Sequence, residues 1–143
     1  MKKNVIISVT GNGGVYQSQP ESMELITEGE YIKNGQEYYV QYDESVVTGM
    51  EGTKTILHVD HNKVTLTRSG KVNSQFVFEQ GQNHYSHYDI REGAFTIGVF
   101  TEYMKVDIND AGGSIKVGYH IRVDDNQYIE NDFNLSVREI RAN

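Results

Sequence analysis

Arg68 is the residue whose type and position most clearly indicate chemistry. It follows Val64 and Leu66 at two-residue spacing, and alternate residues of a strand point to the same face of a sheet. A guanidinium on an apolar face needs acceptors, because an unpaired buried charge is strongly unfavourable. Its planar fork of donors matches carboxylate and phosphate groups. Arg68 is therefore a candidate anchor for the acidic head group of a ligand.

Other polar side chains fall on the apolar faces of their predicted strands by the same alternation. Thr101 follows Val99, and Asn131 lies between Ile129 and Phe133. Tyrosine hydroxyls add further donors on these faces. An inward arginine near such groups would hold the acidic head of a small ligand, while the apolar wall takes its tail. The predicted ligand-binding residues are Arg68, Tyr42, Tyr88, Thr101, Tyr119 and Asn131.

A structural interpretation of Arg68 stays open beside the ligand interpretation. Arg68 precedes Ser69-Gly70, a turn sequence at which strict alternation often ends, so its side chain can reach solvent. Glu44 is in phase with Tyr42 and is the interior carboxylate with which a buried Arg68 would pair. The sequence does not decide between these arrangements.

The histidines do not predict a metal site. His58 and His61 flank a turn, whereas His84 and His87 are three residues apart on a predicted strand, which places them on opposite faces. The chain has no cysteine, and none of these histidines has an obvious carboxylate partner in the sequence. We predict exposed histidines and no metal ligand.

Sequence motifs for catalysis and for cofactors are also missing. Asp107–Gly112 opens like a calcium loop, but its fifth position is Ala111 and its twelfth is Gly118 instead of the required glutamate. A turn rich in Asp, Asn and Gly explains this segment better. There is no Gly-x-Ser-x-Gly element and no phosphate loop. The sequence predicts no catalytic residue and no cofactor, and it favours a non-enzymatic protein.

Composition narrows the partners and the compartment. The 143 residues carry 20 acidic and 13 basic side chains, for a formal net charge of −7, so nucleic acid and anionic membrane surfaces are not expected partners. The absence of cysteine and the short apolar run Val5–Ile7 near the N-terminus favour a cytoplasmic protein without an export signal. A homodimer stays open.

Period-two alternation interrupted by short polar turns predicts strands along the whole chain. Asn34-Gly35 is a strong signal for a two-residue hairpin turn. The stretch Ala94–Ile108 is long enough for one bent strand or two short ones. The predicted strands are Lys3–Thr10, Ser22–Lys33, Gln36–Val46, Thr53–Val59, Val64–Ser69, Val72–Glu79, His84–Ile90, Ala94–Ile108, Ser114–Val123 and Tyr128–Ile140.

Connections this short predict an all-β antiparallel meander, because parallel strands need long crossovers. Closure into a barrel of about 8 to 10 strands would remove the exposed edges of such a meander. Residues 1–143 are predicted to form a single domain. The predicted core is Val5, Ile7, Val9, Met23, Leu25, Tyr31, Tyr38, Val40, Tyr42, Leu57, Val59, Val64, Leu66, Phe76, Phe78, Tyr88, Ile90, Phe95, Ile97, Val99, Ile115, Val117, Tyr119, Ile121, Ile129, Phe133, Leu135 and Val137.

From Thr53 to the C-terminus the chain resembles the YwiB-like family, a domain of unknown function in Gram-positive bacteria. The most specific match is Arg68-Ser69-Gly70 followed by Phe78 with Gly81. The other matching elements are Lys54-Thr55-Ile56, Tyr88 with Gly93, Thr101, and the strand Gly113–Tyr119. The resemblance implies a cytoplasmic β-barrel of the lipocalin-like, calycin type and brings no assigned activity with it.

Two functions are compatible with these observations. The first is a non-enzymatic barrel that binds a small amphiphilic or acidic molecule in its interior. The alternative is a protein-interaction or self-association module whose barrel is packed solid, since small barrels are either filled by side chains or hollow.

Overall fold

Ten antiparallel strands form a closed barrel in the computed structural model, which describes residues 1–12, 22–45, 50–90, 93–124 and 127–140. Each strand pairs with the next, and the last strand closes the barrel on the first. The described ranges contain no helix of the length and apolarity needed to cross a membrane. The strands are β1 Lys2–Asn12, β2 Ser22–Asn34, β3 Glu37–Asp43, β4 Thr53–Asp60, β5 Lys63–Gly70, β6 Asn73–Glu79, β7 Asn83–Ile90, β8 Gly93–Asn109, β9 Gly112–Asp124 and β10 Gln127–Glu139.

The predicted meander is confirmed strand by strand, with one shift at the first hairpin. Asn34 still pairs with Glu37, so the two loop residues are Gly35 and Gln36 and not Asn34 and Gly35. Gly35 has a φ of 67°. A type II′ turn needs a glycine with positive φ at its first loop position. Because Gly35 takes that position, the loop begins one residue later than predicted.

The barrel interior holds the predicted apolar face. Every one of the large buried hydrophobic residues belongs to that predicted set, and Val9, Tyr38 and Tyr119 pack against them while half-buried. The side chains of Met23, Tyr88, Ile90 and Phe95 lie outside the described part. The buried set is Val5, Ile7, Leu25, Tyr31, Val40, Tyr42, Leu57, Val59, Val64, Leu66, Phe76, Phe78, Ile97, Val99, Ile115, Val117, Ile121, Phe133, Leu135 and Val137.

A β-bulge interrupts the alternation of β8. Thr101 pairs with Tyr119 and Tyr103 pairs with Gly118, so Glu102 is the extra residue. The bulge reverses the phase of the strand and turns Met104, with the residues at 106 and 108, toward the core. The predicted segment Ala94–Ile108 is thus one strand with a bulge.

The turn between β8 and β9 covers one end of the barrel. The Tyr31 hydroxyl donates to the carbonyl oxygen of Asn109 at 2.8 Å, and the Tyr38 hydroxyl donates to Oδ1 of Asp110 at 2.7 Å. Lys33 Nζ lies 2.9 Å from the same oxygen. The hydrogen bonds from Tyr38 and Lys33 lower the pKa of the Asp110 carboxyl below its ordinary value. Tyr38, which contacts this turn, pairs with Val59, and Val59 pairs with Val64 near the start of β5. Arg68 is near the other end of β5 and therefore lies toward the opposite end of the barrel.

Candidate functional site

A row of polar residues crosses the inner wall from β3 to β7. Tyr42 pairs with Thr55, Thr55 with Arg68, Arg68 with Ser74, and Ser74 with Tyr88. Directly paired residues point to the same side of a sheet, and neighbouring strands are about 4.8 Å apart. The register therefore places three of the six predicted ligand-binding residues in one row. The side chain of Tyr88 lies outside the described part.

Glu44, two residues after Tyr42, is a buried carboxylate beside this row. Its side chain is 1% exposed, and its Oε2 lies 3.7 Å from Nε of Arg68, whose side chain is 14% exposed. The Thr55 hydroxyl donates a hydrogen bond to the same oxygen. The structure thus places Arg68 inside the barrel in an ion contact with Glu44, and not in solvent. Of the arrangements that the sequence left open for Arg68, the structure has the pairing with Glu44.

The Tyr42 hydroxyl also forms a hydrogen bond with the Glu44 carboxylate. Tyr42 is 3% exposed. Burial, followed by the negative charge of Glu44 and a hydrogen bond to it, raises the pKa of Tyr42 far above its ordinary value. The phenol consequently stays protonated and donates to the carboxylate. Glu44 is held by two hydroxyl donors and one guanidinium, which offset the cost of burying its charge.

Arg68 and its neighbours retain unused hydrogen-bonding capacity. In the described part of the chain, Nε of Arg68, Oγ of Ser74 and Oγ of Ser86 are buried without a hydrogen-bond partner. The 3.7 Å between Nε and Glu44 is an ion contact that is too long for a hydrogen bond. Arg68 and Ser74 are direct cross-strand neighbours. Unsatisfied buried polar atoms are uncommon in folded proteins and indicate a missing partner such as a ligand or water.

The other three predicted residues form a second row. Thr101 pairs with Tyr119, which pairs with Asn131. The hydroxyl oxygen of Thr101 accepts a hydrogen bond from the backbone N–H of Glu79 at 3.3 Å, a contact that attaches the end of β6 to the bulge of β8. Nδ2 of Asn131 donates to the carbonyl oxygen of Ile129 at 3.1 Å. Oδ1 of Asn131 is buried and has no hydrogen-bond partner among the described residues.

Aromatic rings lie along the interior between the two rows. The Tyr119 ring is 4.8 Å from the Phe78 ring and 6.4 Å from the Phe76 ring, measured between centroids. Phe76 is two residues beyond Ser74 on the same inward face of β6. The five predicted residues whose side chains the structure describes therefore do not converge on one point. They frame an aromatic and aliphatic interior with a charged group in one row and neutral polar groups in the other.

Ser74 and Ser86 were not among the residues predicted from the sequence. Both positions carried a usable signal, because Ser74 is in phase with Phe76 and Ser86 is in phase with Tyr88. A small hydroxyl residue in a strand gives no hint of burial by its type alone, since serine is mostly exposed in proteins.

The expectation that the histidines lack carboxylate partners is wrong. Nε2 of His58 lies 2.6 Å from the Glu37 carboxylate, and Nε2 of His84 lies 3.1 Å from the Glu79 carboxylate. These partners come from a neighbouring strand or from across a turn. The sequence separation of each pair concealed the contact, and only the register reveals it.

Comparisons with known proteins agree with this architecture. A relative from Bacillus subtilis (strain 168), described as "Uncharacterized beta-barrel protein YwiB", is 28% identical over 107 residues, which are 75% of this chain and 74% of the relative. The crystal structure of the ywiB protein from Bacillus subtilis superposes with a TM-score of 0.82 at 20% identity, over 98% of this chain and 94% of that chain. A family model described as "Domain of unknown function (DUF1934)" matches residues 7–135. The chain belongs to the DUF1934 family of YwiB-like β-barrel proteins.

Proposed function

We propose that the barrel is a non-enzymatic, cytoplasmic binding protein for a small amphiphilic molecule with an acidic head group. Arg68 anchors the head group, and the apolar interior takes the tail. The unused donor of Arg68 carries this proposal, because a buried guanidinium nitrogen without a hydrogen bond lies beside the unpartnered hydroxyl of Ser74. A carboxylate or phosphate oxygen is the acceptor that both groups can share.

The contact with Glu44 supports this role of Arg68. It holds the arginine inward and supplies the compensating charge in the absence of ligand. A guanidinium has five N–H donors, so one ion contact leaves donors for a ligand. Tyr42 and Thr55 satisfy the Glu44 carboxylate with their own hydroxyls, which lessens its competition for the guanidinium.

The wall next to Ser74 is where we propose that the ligand enters the interior. Among the described residues, the β6–β7 ladder has two register pairs, Asn73 with Asp89 and Ser74 with Tyr88. The far end of β6 instead contacts β8 through a bridge between Gln80 and Thr101. A short ladder opens at a lower free-energy cost than the long ladders elsewhere in the barrel. We place the entrance of the ligand at this seam.

Native mass spectrometry of the protein purified gently from its own host tests the proposal. Because Arg68→Met alone strands the Glu44 carboxylate, the variant of choice is the double substitution Arg68→Met/Glu44→Gln, with Arg138→Met on the exposed outer face of β10 as the matched control. We expect wild type and Arg138→Met to retain a small acidic molecule that is released on denaturation. The double variant should retain none.

A natural ligand that is lost in purification would escape the mass measurement. For that case the purified protein is titrated with alkyl carboxylates and alkyl phosphates. Wild type should bind at least one of them with an affinity about tenfold or more above that of the double variant, the loss typical of a removed charge-assisted hydrogen bond. Equal affinity of the two proteins, or no binding of either class of acid in both experiments, would contradict the proposal.

Self-association is the second candidate, and exposed aromatic residues on the outer wall favour it. Tyr85 is 77% exposed, Tyr103 50% and Phe100 39%, and they lie on the neighbouring strands β7 and β8. Large exposed aromatics are enriched at protein interfaces. Native mass spectrometry measures the mass of the assembly and therefore detects a dimer directly. The substitution Tyr85→Ser should dissociate a dimer formed through this surface. A monomer at micromolar concentration would contradict self-association.

A further inference from the structure

Three metal-ligating side chains lie close together on the outer wall, and one of them belongs to the bulge of β8. Glu102 is the extra residue of the bulge, His120 lies on β9, and Glu130 lies on β10. One ligand atom from each side chain lies within 4.8 Å of the other two. The carboxylates come from the strands on either side of the histidine, so the three groups converge from separate backbone elements.

The register explains why these residues meet. His120 pairs with Glu130 on one side and with Phe100 on the other. Glu102 shares the outward face of β8 with Phe100, as alternate residues of a strand do, and its carboxylate lies beside the imidazole. The Phe100 ring packs near the imidazole at 6.4 Å between centroids and restricts its orientation. The cluster therefore results from the alignment of β8, β9 and β10, and it includes a bulge residue of a kind that is common near functional sites.

The spacing of the ligand atoms fits a small divalent ion. Nε2 of His120 lies 3.4 Å from Oε1 of Glu130, and Oε1 of Glu102 contacts the same Nε2. Zinc binds imidazole nitrogen and carboxylate oxygen at about 2.0 to 2.2 Å in tetrahedral geometry, so two of its ligands are about 3.4 Å apart. A small rotation of the exposed Glu102 side chain would give the third ligand the same separation.

We propose that Glu102, His120 and Glu130 bind a divalent transition-metal ion, for which Zn²⁺ is the model, with a fourth position open to water. An imidazole ligand favours zinc over magnesium or calcium, which prefer oxygen ligands alone. The side chains of Glu102, His120 and Glu130 are 45%, 25% and 76% exposed, so the ion reaches the site from solvent. The net charge of −7 favours the approach of a cation.

Two other histidine sites of the barrel provide an internal comparison. His58 contacts Glu37 and His84 contacts Glu79, but in the described ranges neither histidine belongs to a cluster of three metal-ligating groups. A histidine with one carboxylate forms an ion pair or hydrogen bond, whereas a second carboxylate supplies the ligand set of a metal site. His84 is thus a matched control for His120.

Calorimetric titration of chelator-treated protein with ZnCl₂ tests the inference. Wild type and His84→Ala should bind one Zn²⁺ per chain with equal affinity. His120→Ala should lose saturable binding, and Glu130→Gln should bind about tenfold or more weakly, as is common when a metal's coordination sphere is weakened. Glu130 is largely exposed, so Glu130→Gln leaves the fold intact, and excess Mg²⁺ should not displace the zinc.

Thermal unfolding supplies a second measurement. Zinc at a hundredfold excess over its dissociation constant should raise the melting temperature of wild type and leave that of His120→Ala unchanged, because only a ligand of the native state stabilises it. Absence of 1:1 zinc binding, or equal losses in His84→Ala and His120→Ala, would overturn the metal site and leave His120 as a shared ion pair.

Discussion

Arg68 and Glu44 form a buried ion contact whose two members depend on each other. The Glu44 side chain is 1% exposed, so Arg68→Met leaves a carboxylate inside the barrel without its cation. We expect this substitution to lower the free energy of unfolding by about 3 to 5 kcal/mol, the usual cost of breaking a buried pair. Urea denaturation measures the change.

The double substitution Arg68→Met/Glu44→Gln is the control for this interpretation. Removing both charges relieves the unpaired carboxylate, and the double variant should regain most of the lost stability. A single variant as stable as wild type would show that the contact at 3.7 Å contributes little and that Arg68 has no structural partner.

Tyr42 makes the stability of the barrel sensitive to alkaline pH. Burial, with the negative charge of Glu44 as a second cause, raises the pKa of Tyr42 above its ordinary value of 10.0. Between the unfolded and the folded pKa, the unfolded chain has lost the proton and the native chain retains it. Stability is therefore unaffected below about pH 10 and falls above it, at up to about 1.4 kcal/mol per pH unit for one tyrosine.

Urea denaturation between pH 8 and pH 11.5 tests this dependence. Burial also raises the pKa of Tyr31, so wild type should show the sum of at least two such contributions. Tyr42→Phe should make the alkaline decline shallower while losing a donor to Glu44. An identical slope in the variant would show that Tyr42 ionises freely in the folded protein.

The inward position of Arg68 could be predicted from the sequence, but its surroundings could not. Phase with Val64 and Leu66 is sufficient to assign the face, because a strand has a period of two residues. The contact with Glu44 depends on how β3, β4 and β5 are aligned, and the unpartnered hydroxyl of Ser74 depends on the alignment of β5 with β6. Alternation assigns a face and does not fix these alignments.

At the level of the elements, the strands were predictable and their irregularities were not. Ten segments of alternation correspond to ten strands, whereas the bulge at Glu102 leaves no trace in the hydrophobic pattern apart from a change of phase after Thr101. That change of phase explains why Met104 was absent from the predicted core. The cluster around His120 was not found from residue spacing because it depends on the alignment of β8, β9 and β10.

Gly29 is a tightly packed position of β2, where an added side chain would have a measurable effect. A Cβ at Gly29 would collide with the carbonyl oxygen of Gln41 and with Cδ1 of Ile7 in the core. The carbonyl oxygen belongs to the backbone and cannot move aside, so Gly29→Ala should destabilise the barrel by about 1 to 3 kcal/mol, as expected for overpacking. Thermal or urea denaturation measures the effect.

Gly118 is the matched control for Gly29. A Cβ at Gly118 would meet the ring of Tyr103, but that ring is 50% exposed and can swing into solvent. Gly118→Ala should cost less than about 1 kcal/mol. Equal losses in the two variants would contradict a backbone collision as the cause at Gly29.

For the whole molecule, barrel closure could be inferred because a ten-strand meander would otherwise expose two long edges. β10 pairs with β1 from Val5 with Glu139 to Asn12 with Asp132, and this pairing closes the barrel. The function could not be predicted from the sequence to the same extent, because a barrel of this size can have an interior that is filled by side chains or one that holds a ligand. The proposed ligand rests on the unpartnered polar atoms of the inner wall, such as Nε of Arg68 and Oγ of Ser74.

A high-resolution crystal structure of the protein purified gently from its own host would reveal whether the barrel holds a ligand. We expect density for a small acidic molecule inside the barrel, with an oxygen about 3 Å from the Arg68 guanidinium and from the Ser74 hydroxyl. Side chains that fill this space and satisfy every Arg68 donor, with no bound molecule, would contradict a ligand-binding barrel.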